Sequence, residues 1–292
     1  KTEERRIAGS ETAKRRRRSL LPDRQDKPQC HGKGAFVRRK LRLTSMTNLN
    51  LCCETGTGRN GLYPALTYAA FDDKTCAVTG LADRNASPIS VTVPAYAPDG
   101  LRVVAVADKA FSGCQSLRVV SLPETVESVG RRAFAFCTSL SDLRLGRNSR
   151  LSCIGDRAFI GCERLTVLRL GHLAGLRLVG NCAFAYCTRL HSVVLPDSLS
   201  AIPDGMFEGC RQLLHVRLPG RLIRIGAAAF SACVSLETVR MPDSLRIIED
   251  AAFAWCASLR TLHLPASPCM VAGSAFRECP ALPDLPELLG VS

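Results

Sequence analysis

One pattern of hydrophobic and polar positions recurs along most of the chain. An Ala-Phe or Met-Phe pair is followed by Cys three residues after the Phe and by Leu six residues after it, as in AFSGCQSL at 110–117. Neighbouring copies are 23 or 25 residues apart. A unit of this length cannot bury its own apolar face, so the pattern predicts a repeat protein whose units stack. The eight copies carry Phe111, Phe134, Phe159, Phe184, Phe207, Phe230, Phe253 and Phe276.

The rest of each unit follows a fixed order. After the Leu comes an alternating stretch such as LHSVVLP or LETVRMP, and alternation that ends at Pro or Gly predicts a short strand with one buried face. A second apolar pair follows, often before Gly as in RLIRIG. The Ala-Phe pair is then expected to lie on one helical or 3₁₀ turn that closes the coil. The sequence therefore predicts a β-rich α/β repeat solenoid.

Equivalent positions in stacked units form columns. The Phe residues are predicted to pile into one buried aromatic spine, and the Cys residues to fill a tight interior as small apolar side chains. One Cys per coil without a CxxC pair fits neither a disulfide ladder nor a zinc ladder. We interpret these residues as reduced structural thiols, which predicts a reducing, intracellular compartment. The column contains Cys114, Cys137, Cys162, Cys187, Cys210, Cys233, Cys256 and Cys279.

The repeat IGxxAFxxCxxLxxLxLPxxLxx resembles that of the BspA-like class of leucine-rich repeats over roughly residues 62–292. The resemblance implies a right-handed coil with a parallel sheet along one face. Members of this class serve as adhesion, recognition and scaffolding modules, many of them on microbial surfaces. The segment LTYAAFDDKTCAVTGLADRNASPISVTVPA resembles the N-terminal β-cap of the class, and CPALPDLPELLG loses the strand pattern as a terminal cap should.

Charge divides the chain into three predicted regions. The formal net charge is +13, and residues 1–48 carry 15 Lys and Arg against 5 Asp and Glu. This composition predicts a basic arm that is intrinsically disordered or ordered by a partner. Residues 49–105 are predicted to form the β-cap region. Residues 106–292 are predicted to form the solenoid, with a Pro-rich C-terminal cap.

The basic arm is the first candidate binding segment. Basic tracts bind nucleic acid, act as nuclear localisation signals, or contact acidic surfaces, and a solvated tail is the plainer alternative. RNA phosphates are one candidate partner; no RNP motif is present, so such contacts would not be sequence-specific. The predicted contact residues are Lys14, Arg15, Arg16, Arg17, Arg18, Arg38, Arg39, Lys40 and Arg42.

The second candidate binding surface lies on the predicted strands. The residue between two buried apolar positions of a strand must point outward. In successive units this position holds Ser121, Arg144, Arg169, Val194, Arg217, Arg240 and His263. We call the surface formed by Arg144, Arg169, Arg217, Arg240 and His263 the arginine face. It would favour an acidic partner, although solvated Arg side chains, partly offset by Asp142 and Glu237, are the alternative.

No catalytic constellation is present, and the chain is predicted not to be an enzyme. The five His residues are scattered, none beside a Ser or Cys in a nucleophile elbow. No cofactor and no small-molecule substrate is predicted. No apolar stretch is long enough to predict a membrane span. Cys30, His31, Cys52 and Cys53 could hold zinc, but their spacing does not form the usual ligand pairs.

Three functions follow from these features. The favoured one is a non-enzymatic protein-interaction scaffold, a structural or accessory subunit of a large intracellular assembly whose basic arm contacts an acidic partner. The second is an RNA-associated accessory protein of a ribonucleoprotein such as an organellar ribosome. The third is a surface adhesion or receptor-like module. The corresponding location is intracellular, with the mitochondrion or nucleus as candidates, and secretion is less favoured.

Overall fold

Eight stacked coils form the body of the protein in the computed structural model, which describes residues 65–282. Each coil contributes short strands and one turn that carries its Phe. We number the coils 1 to 8 by that residue, from Phe111 in coil 1 to Phe276 in coil 8. Both expected periods, 23 and 25 residues, are accommodated within this single stack. The predicted solenoid is therefore confirmed.

Strands on one side of the stack carry the arginine face. They form three short parallel sheets, in the orders β3-β5-β7, β13-β11-β9 and β15-β17. Within each sheet, equivalent positions of neighbouring units lie side by side, so Val194 pairs with both Arg169 and Arg217. The strands are β3 Ser90–Thr92, β5 Val119–Leu122, β7 Asp142–Leu145, β9 Val167–Arg169, β11 Ser192–Val194, β13 His215–Arg217, β15 Thr238–Arg240 and β17 Thr261–His263.

A second side of the stack holds the remaining strands. Its two sheets have the orders β1-β2-β4-β6-β8-β10 and β12-β14-β16-β18, and only the β1–β2 pair is antiparallel. The strands are β1 Leu66–Ala70, β2 Thr75–Leu81, β4 Arg102–Val106, β6 Ser128–Val129, β8 Cys153–Ile154, β10 Leu178–Val179, β12 Ala201–Ile202, β14 Arg224–Ile225, β16 Ile247–Ile248 and β18 Met270–Val271.

A proline interrupts the second side between coils 4 and 5. Gly180 and Gly226 donate their N–H groups to the preceding coil, each over 2.8 Å. Pro203 occupies the equivalent position in coil 5 and has no N–H to donate, so the sheet ends at β10 and restarts at β12. The Phe184 and Phe207 rings at this junction are also the most widely spaced pair of the spine, with centroids 6.0 Å apart.

The turns that carry the Phe residues are not helical, so the prediction of helical or 3₁₀ turns is wrong. In coil 2, Arg132 and Phe136, two residues before and two after Phe134, have φ of 55° and 59°. A left-handed residue on each side leaves too few consecutive right-handed residues for a helix. The same two positions have positive φ in coils 1 to 7.

Alternating backbone hydrogen bonds explain this conformation. In coil 2 the N–H groups of Arg132, Phe134 and Phe136 donate to carbonyls of coil 3, at 3.0, 2.8 and 2.7 Å. The residues between them, Ala133 and Ala135, instead donate to carbonyls three residues earlier in their own coil. The turn therefore closes its own coil and bonds to the next coil at the same time.

The predicted aromatic spine is confirmed. All eight Phe side chains are buried, and consecutive rings stack with centroids 5.1 to 6.0 Å apart and interplanar angles of 2° to 21°. Parallel displaced stacking of this kind adds to the free energy gained from burying the rings. The spine is thus the continuous interior contact that joins the coils.

The Cys column is buried beside the spine from coil 2 onward, with Cys114 of coil 1 partly buried, and its thiols do more than fill space. From coil 2 onward each Cys Sγ donates to the Phe carbonyl of the preceding coil, as Cys187 does to Phe159 over 3.4 Å and Cys210 to Phe184 over 3.3 Å. None of the Cys residues among 65–282 forms a disulfide. Burial raises the pKa of the Cys187 thiol to about 12, so it remains protonated and able to donate.

The Gly that ends the second strand of many coils permits close packing between coils. A Cβ added to Gly155 would lie 2.7 Å from the backbone nitrogen of Arg131 and 2.8 Å from the carbonyl carbon of Gly130. These atoms belong to the backbone of the preceding coil and cannot rotate away. Gly175, in a loop, would meet only the Leu151 oxygen, at 3.8 Å.

We therefore expect Gly155→Ala to lower the free energy of unfolding by about 2–3 kcal/mol, because the coils must separate to admit the methyl group. Gly175→Ala is the matched control, with an expected change within about 0.5 kcal/mol. Urea unfolding followed by circular dichroism measures both. Equal midpoints for the two variants would contradict the close packing at Gly155.

Candidate functional site

The structure places all five residues of the arginine face on one surface with exposed side chains. Arg144 pairs with Ser121, Arg169 and Arg217 flank Val194, and Arg240 pairs with His263. Strands within a sheet are about 4.8 Å apart, so the arrangement is a row of four arginines and one histidine across coils 2 to 7, with Val194 at the position in coil 4.

The arginines of this row differ in their electrostatic partners. Arg144 Nε lies 2.6 Å from the Asp142 carboxylate on the same strand, which offsets its charge. Across residues 65–282, Arg169, Arg217 and Arg240 form no ion pair. Glu237, expected from the sequence to offset part of the charge, forms none there either. Three guanidinium groups of the face are thus free of ion pairs with the part of the chain that the structure describes.

The sheets of this side are interrupted at the two places where Arg would face Arg. The first gap lies between β7 and β9, with Arg144 and Arg169 on its two edges, and the second lies between β13 and β15, with Arg217 and Arg240. Where Val194 stands between two arginines, the ladder is continuous. Like charges directly opposite each other destabilise strand pairing, and separation of the strands relieves that repulsion.

An open depression lies at the second gap. It is lined by the charged and polar side chains of Arg217, Arg240, Asp243 and His263, and its apolar lining comes from Val216, Leu218, Met241, Pro242, Leu264 and Ala266. The Asp243 carboxylate accepts a hydrogen bond from the Ala266 N–H over 3.2 Å. The depression is open to solvent, which suits a protruding group of a larger partner better than an enclosed small molecule.

Several predicted site residues lie outside residues 65–282. These are the residues of the basic arm and the four candidate zinc ligands Cys30, His31, Cys52 and Cys53. Within the part of the chain that the structure describes, no group of three or more His, Cys, Asp or Glu side chains could hold a metal ion. No helix between residues 65 and 282 is long and apolar enough to cross a membrane.

One surface feature was missed from the sequence. The position two residues after the spine Phe holds the exposed aromatics Phe136, Tyr186 and Trp255 in three coils. A Cβ added to Gly161 would lie 2.8 Å from the Phe136 ring, and one added to Gly209 would lie 2.7 Å from the Tyr186 ring. The Phe136 and Tyr186 rings therefore each occupy the space above the glycine of the next coil. In coils 1 to 5 this position alternates between Gly and an aromatic residue, and that alternation in the sequence could have indicated the packing.

Two of these aromatic side chains also have polar contacts. The Tyr186 hydroxyl donates to Glu208 over 2.7 Å, and the Arg277 guanidinium lies 5.9 Å from the centre of the Trp255 ring. Both contacts join neighbouring coils. The rings therefore have a structural role in holding the Phe-bearing turns together.

The stacked coils, their parallel sheets and the exposed strand surface define a leucine-rich-repeat solenoid. The model of the BspA type leucine-rich repeat region matches residues 100–173 and 177–285, in 6 copies. The chain belongs to this family. Solenoids of this kind are typically non-enzymatic interaction scaffolds, which makes other proteins the expected class of partner.

Solved structures show the same fold. A leucine-rich repeat protein of T. pallidum is 30% identical, with a TM-score of 0.55, and the match covers 78% of this chain and 93% of that one. A leucine-rich cell surface protein of Faecalibacterium prausnitzii is 21% identical, with a TM-score of 0.51, and covers 75% of this chain and 86% of its own. No curated protein matches the chain.

Proposed function

We propose that this protein is a non-enzymatic interaction scaffold within an intracellular assembly and that its arginine face binds an acidic surface of a partner protein. The observation that carries the proposal is the alignment of Arg169, Arg217 and Arg240 on one exposed surface without an ion pair among residues 65–282. Clustered cations that lack partners attract acidic surfaces and accelerate encounter with them.

The reduced thiols support the intracellular part of this proposal. A column of buried Cys residues without disulfides is typical of proteins from reducing compartments. The basic arm supports an acidic partner by charge alone, because residues 1–48 hold 15 of the 39 Lys and Arg residues. We propose that the arm adds electrostatic attraction to the same partner.

A polyglutamate peptide is a suitable probe of the arginine face. We expect the full chain to bind it with an affinity that falls as salt is added, since exposed charges are screened. The triple variant Arg169→Gln, Arg217→Gln and Arg240→Gln is expected to bind about ten-fold more weakly or worse. Fluorescence anisotropy across a salt series measures both.

The control removes the same number of charges elsewhere, as Arg132→Gln, Arg157→Gln and Arg177→Gln. Its affinity should fall by no more than about two-fold, because only the long-range attraction changes. Equal losses in the two triple variants would refute a localised site. Tighter binding of a single-stranded RNA that depends on the same three arginines would replace the protein partner with a nucleic acid.

A further inference from the structure

We infer that Arg217 and Arg240 form a clamp for one phosphate monoester on a partner polypeptide, so that the scaffold recognises a phosphorylated segment. This inference rests on the proposed function, because it names the acidic group that the arginine face binds best. It concerns one position on the face, the gap between β13 and β15.

Geometry distinguishes this gap from the rest of the face. Arg217 is the last residue of β13 and Arg240 the last residue of β15, so the two lie at equivalent positions of neighbouring coils. The absence of a ladder between these strands leaves the two guanidinium groups on opposite edges of an open depression. An anion placed between them would satisfy both and remove the repulsion that separates them.

The backbone adds a donor at the same place. In the neighbouring coils the residue after the strand donates its N–H to the next coil, as Leu195 does to Arg217 over 3.2 Å and Met241 does to His263 over 2.9 Å. The equivalent Leu218 N–H has no such bond among the described residues. Leu218 directly follows Arg217 and lines the depression, so this backbone donor lies next to one of the two arginines.

The set of donors matches a phosphate better than a carboxylate. A phosphate monoester carries close to two negative charges near neutral pH and has three strong acceptor oxygens. Two guanidinium groups offer planar pairs of N–H donors, and the Leu218 amide offers another. A carboxylate has one charge and two oxygens, and would leave one guanidinium without a partner of its own.

The lining of the depression favours a polypeptide over a nucleic acid. Its walls contain Leu218, Met241, Pro242 and Leu264, which can pack against the side chains that flank a phosphorylated residue. Single-stranded nucleic acids are usually held by several Phe, Tyr or Trp side chains on which bases stack, and this lining includes none of these three types, with the His263 imidazole as its one aromatic ring. The composition of the lining therefore favours a phosphorylated protein segment as the occupant.

The first gap provides an internal control. Arg144 and Arg169 lie at the same positions relative to each other, but the Arg144 guanidinium is already bound by Asp142 at 2.6 Å. A phosphate would have to displace that carboxylate or bind beside it against electrostatic repulsion. A carboxylate also lines the second depression, but Asp243 accepts the Ala266 N–H at 3.2 Å and forms an ion pair with neither arginine of that gap within residues 65–282. The two gaps thus contain the same residue pair with different occupancy, and only the second is expected to hold a phosphate.

Three fluorescent peptides of one sequence test the clamp, with phosphoserine, Glu or Ser at the central position. We expect the full chain to bind the phosphoserine peptide about ten-fold more tightly than the Glu peptide, and the Ser peptide most weakly. Arg217→Gln and Arg240→Gln should each weaken phosphoserine binding by about ten-fold or more. Arg144→Gln, with the same charge change, should alter it by less than about two-fold.

The possible failures separate the two proposals. Equal affinity for the phosphoserine and Glu peptides, with both dependent on Arg217 and Arg240, would overturn the phosphate clamp and leave the acidic-partner proposal standing. Equal losses from Arg144→Gln and Arg217→Gln would also overturn the clamp. Binding of none of the peptides, together with failure of the polyglutamate test, would remove both proposals. Equally tight, Arg217-dependent binding of a single-stranded RNA would overturn the choice of a polypeptide.

Discussion

Raising the pH from about 8 to about 10 is expected to remove about 7 kcal/mol of folding free energy, more than most substitutions in this protein would. The cause is the buried Cys column. Burial raises the pKa of Cys137 and Cys187 from 9.0 to about 12. Burial also raises the pKa of Cys162, Cys210 and Cys233 well above its ordinary value.

The direction of the effect follows from proton binding. Between about pH 9 and pH 12 the unfolded chain has released the thiol protons while the folded chain still holds them. Folding then requires uptake of protons, so stability falls as the pH rises. Each thiol contributes about 1.4 kcal/mol of loss at one unit above its unfolded pKa, and five thiols give the total above. Below about pH 8 this contribution is fully present.

Urea unfolding under reducing conditions at several pH values measures the effect. The control pair is Cys187→Ala, which removes a buried thiol, and Cys269→Ala, which removes a partly exposed one. Cys187→Ala should lower stability at neutral pH but reduce the loss above pH 9 by the contribution of one thiol. Cys269→Ala should reduce that loss by less, because burial raises the pKa of this partly exposed thiol by a smaller amount. A midpoint that does not move between pH 8 and pH 10 would show that these thiols ionise freely in the folded protein.

Truncation of a ring in the centre of the spine is expected to have the second largest effect. Phe184→Ala should lower the free energy of unfolding by about 3–5 kcal/mol, because it leaves a cavity between the Phe159 and Phe207 rings on either side. Those rings stack on Phe184 with centroids at 5.2 and 6.0 Å. The loss of one ring therefore breaks two stacked contacts as well as the burial of the side chain itself.

Phe136→Ala is the control for this prediction. Its ring is 48% exposed, so the same change of residue type should cost about 1 kcal/mol or less. Thermal and urea unfolding of both variants provide the comparison. Similar losses in the two variants would mean that the spine is not the main contact between coils.

Much of this fold was predictable because each element repeats. Eight copies of one pattern identify the Phe and Cys columns without any knowledge of the backbone, and alternation fixes which strand residues point outward, including Arg217 and Arg240. The left-handed residues beside each Phe were not predictable in the same way. Lys109, Arg132 and Phe136 have little intrinsic preference for positive φ, and they adopt it because hydrogen bonding between coils requires it.

The candidate site, like the fold, was predictable only in part. The sequence predicted a row of outward arginines, and the structure places them there. The sequence could not show that Arg144 is the arginine of this face that forms an ion pair. Asp142 pairs with Arg144, whereas Glu237 lies similarly near Arg240 in sequence and makes no ion pair with it. Nor could the sequence show the two gaps between strands, because these arise only when equivalent residues of neighbouring coils are brought side by side.

Pro203 has a consequence for how the protein would respond to mechanical force. A solenoid pulled from its ends is loaded across every junction in series, so the junction with the fewest hydrogen bonds yields first. One sheet is interrupted at each of three junctions, between coils 2 and 3, coils 4 and 5, and coils 5 and 6, and the spine rings are most widely spaced between coils 4 and 5. Under tension, coils 1 to 4 and coils 5 to 8 would therefore separate as two blocks before any single coil unravelled.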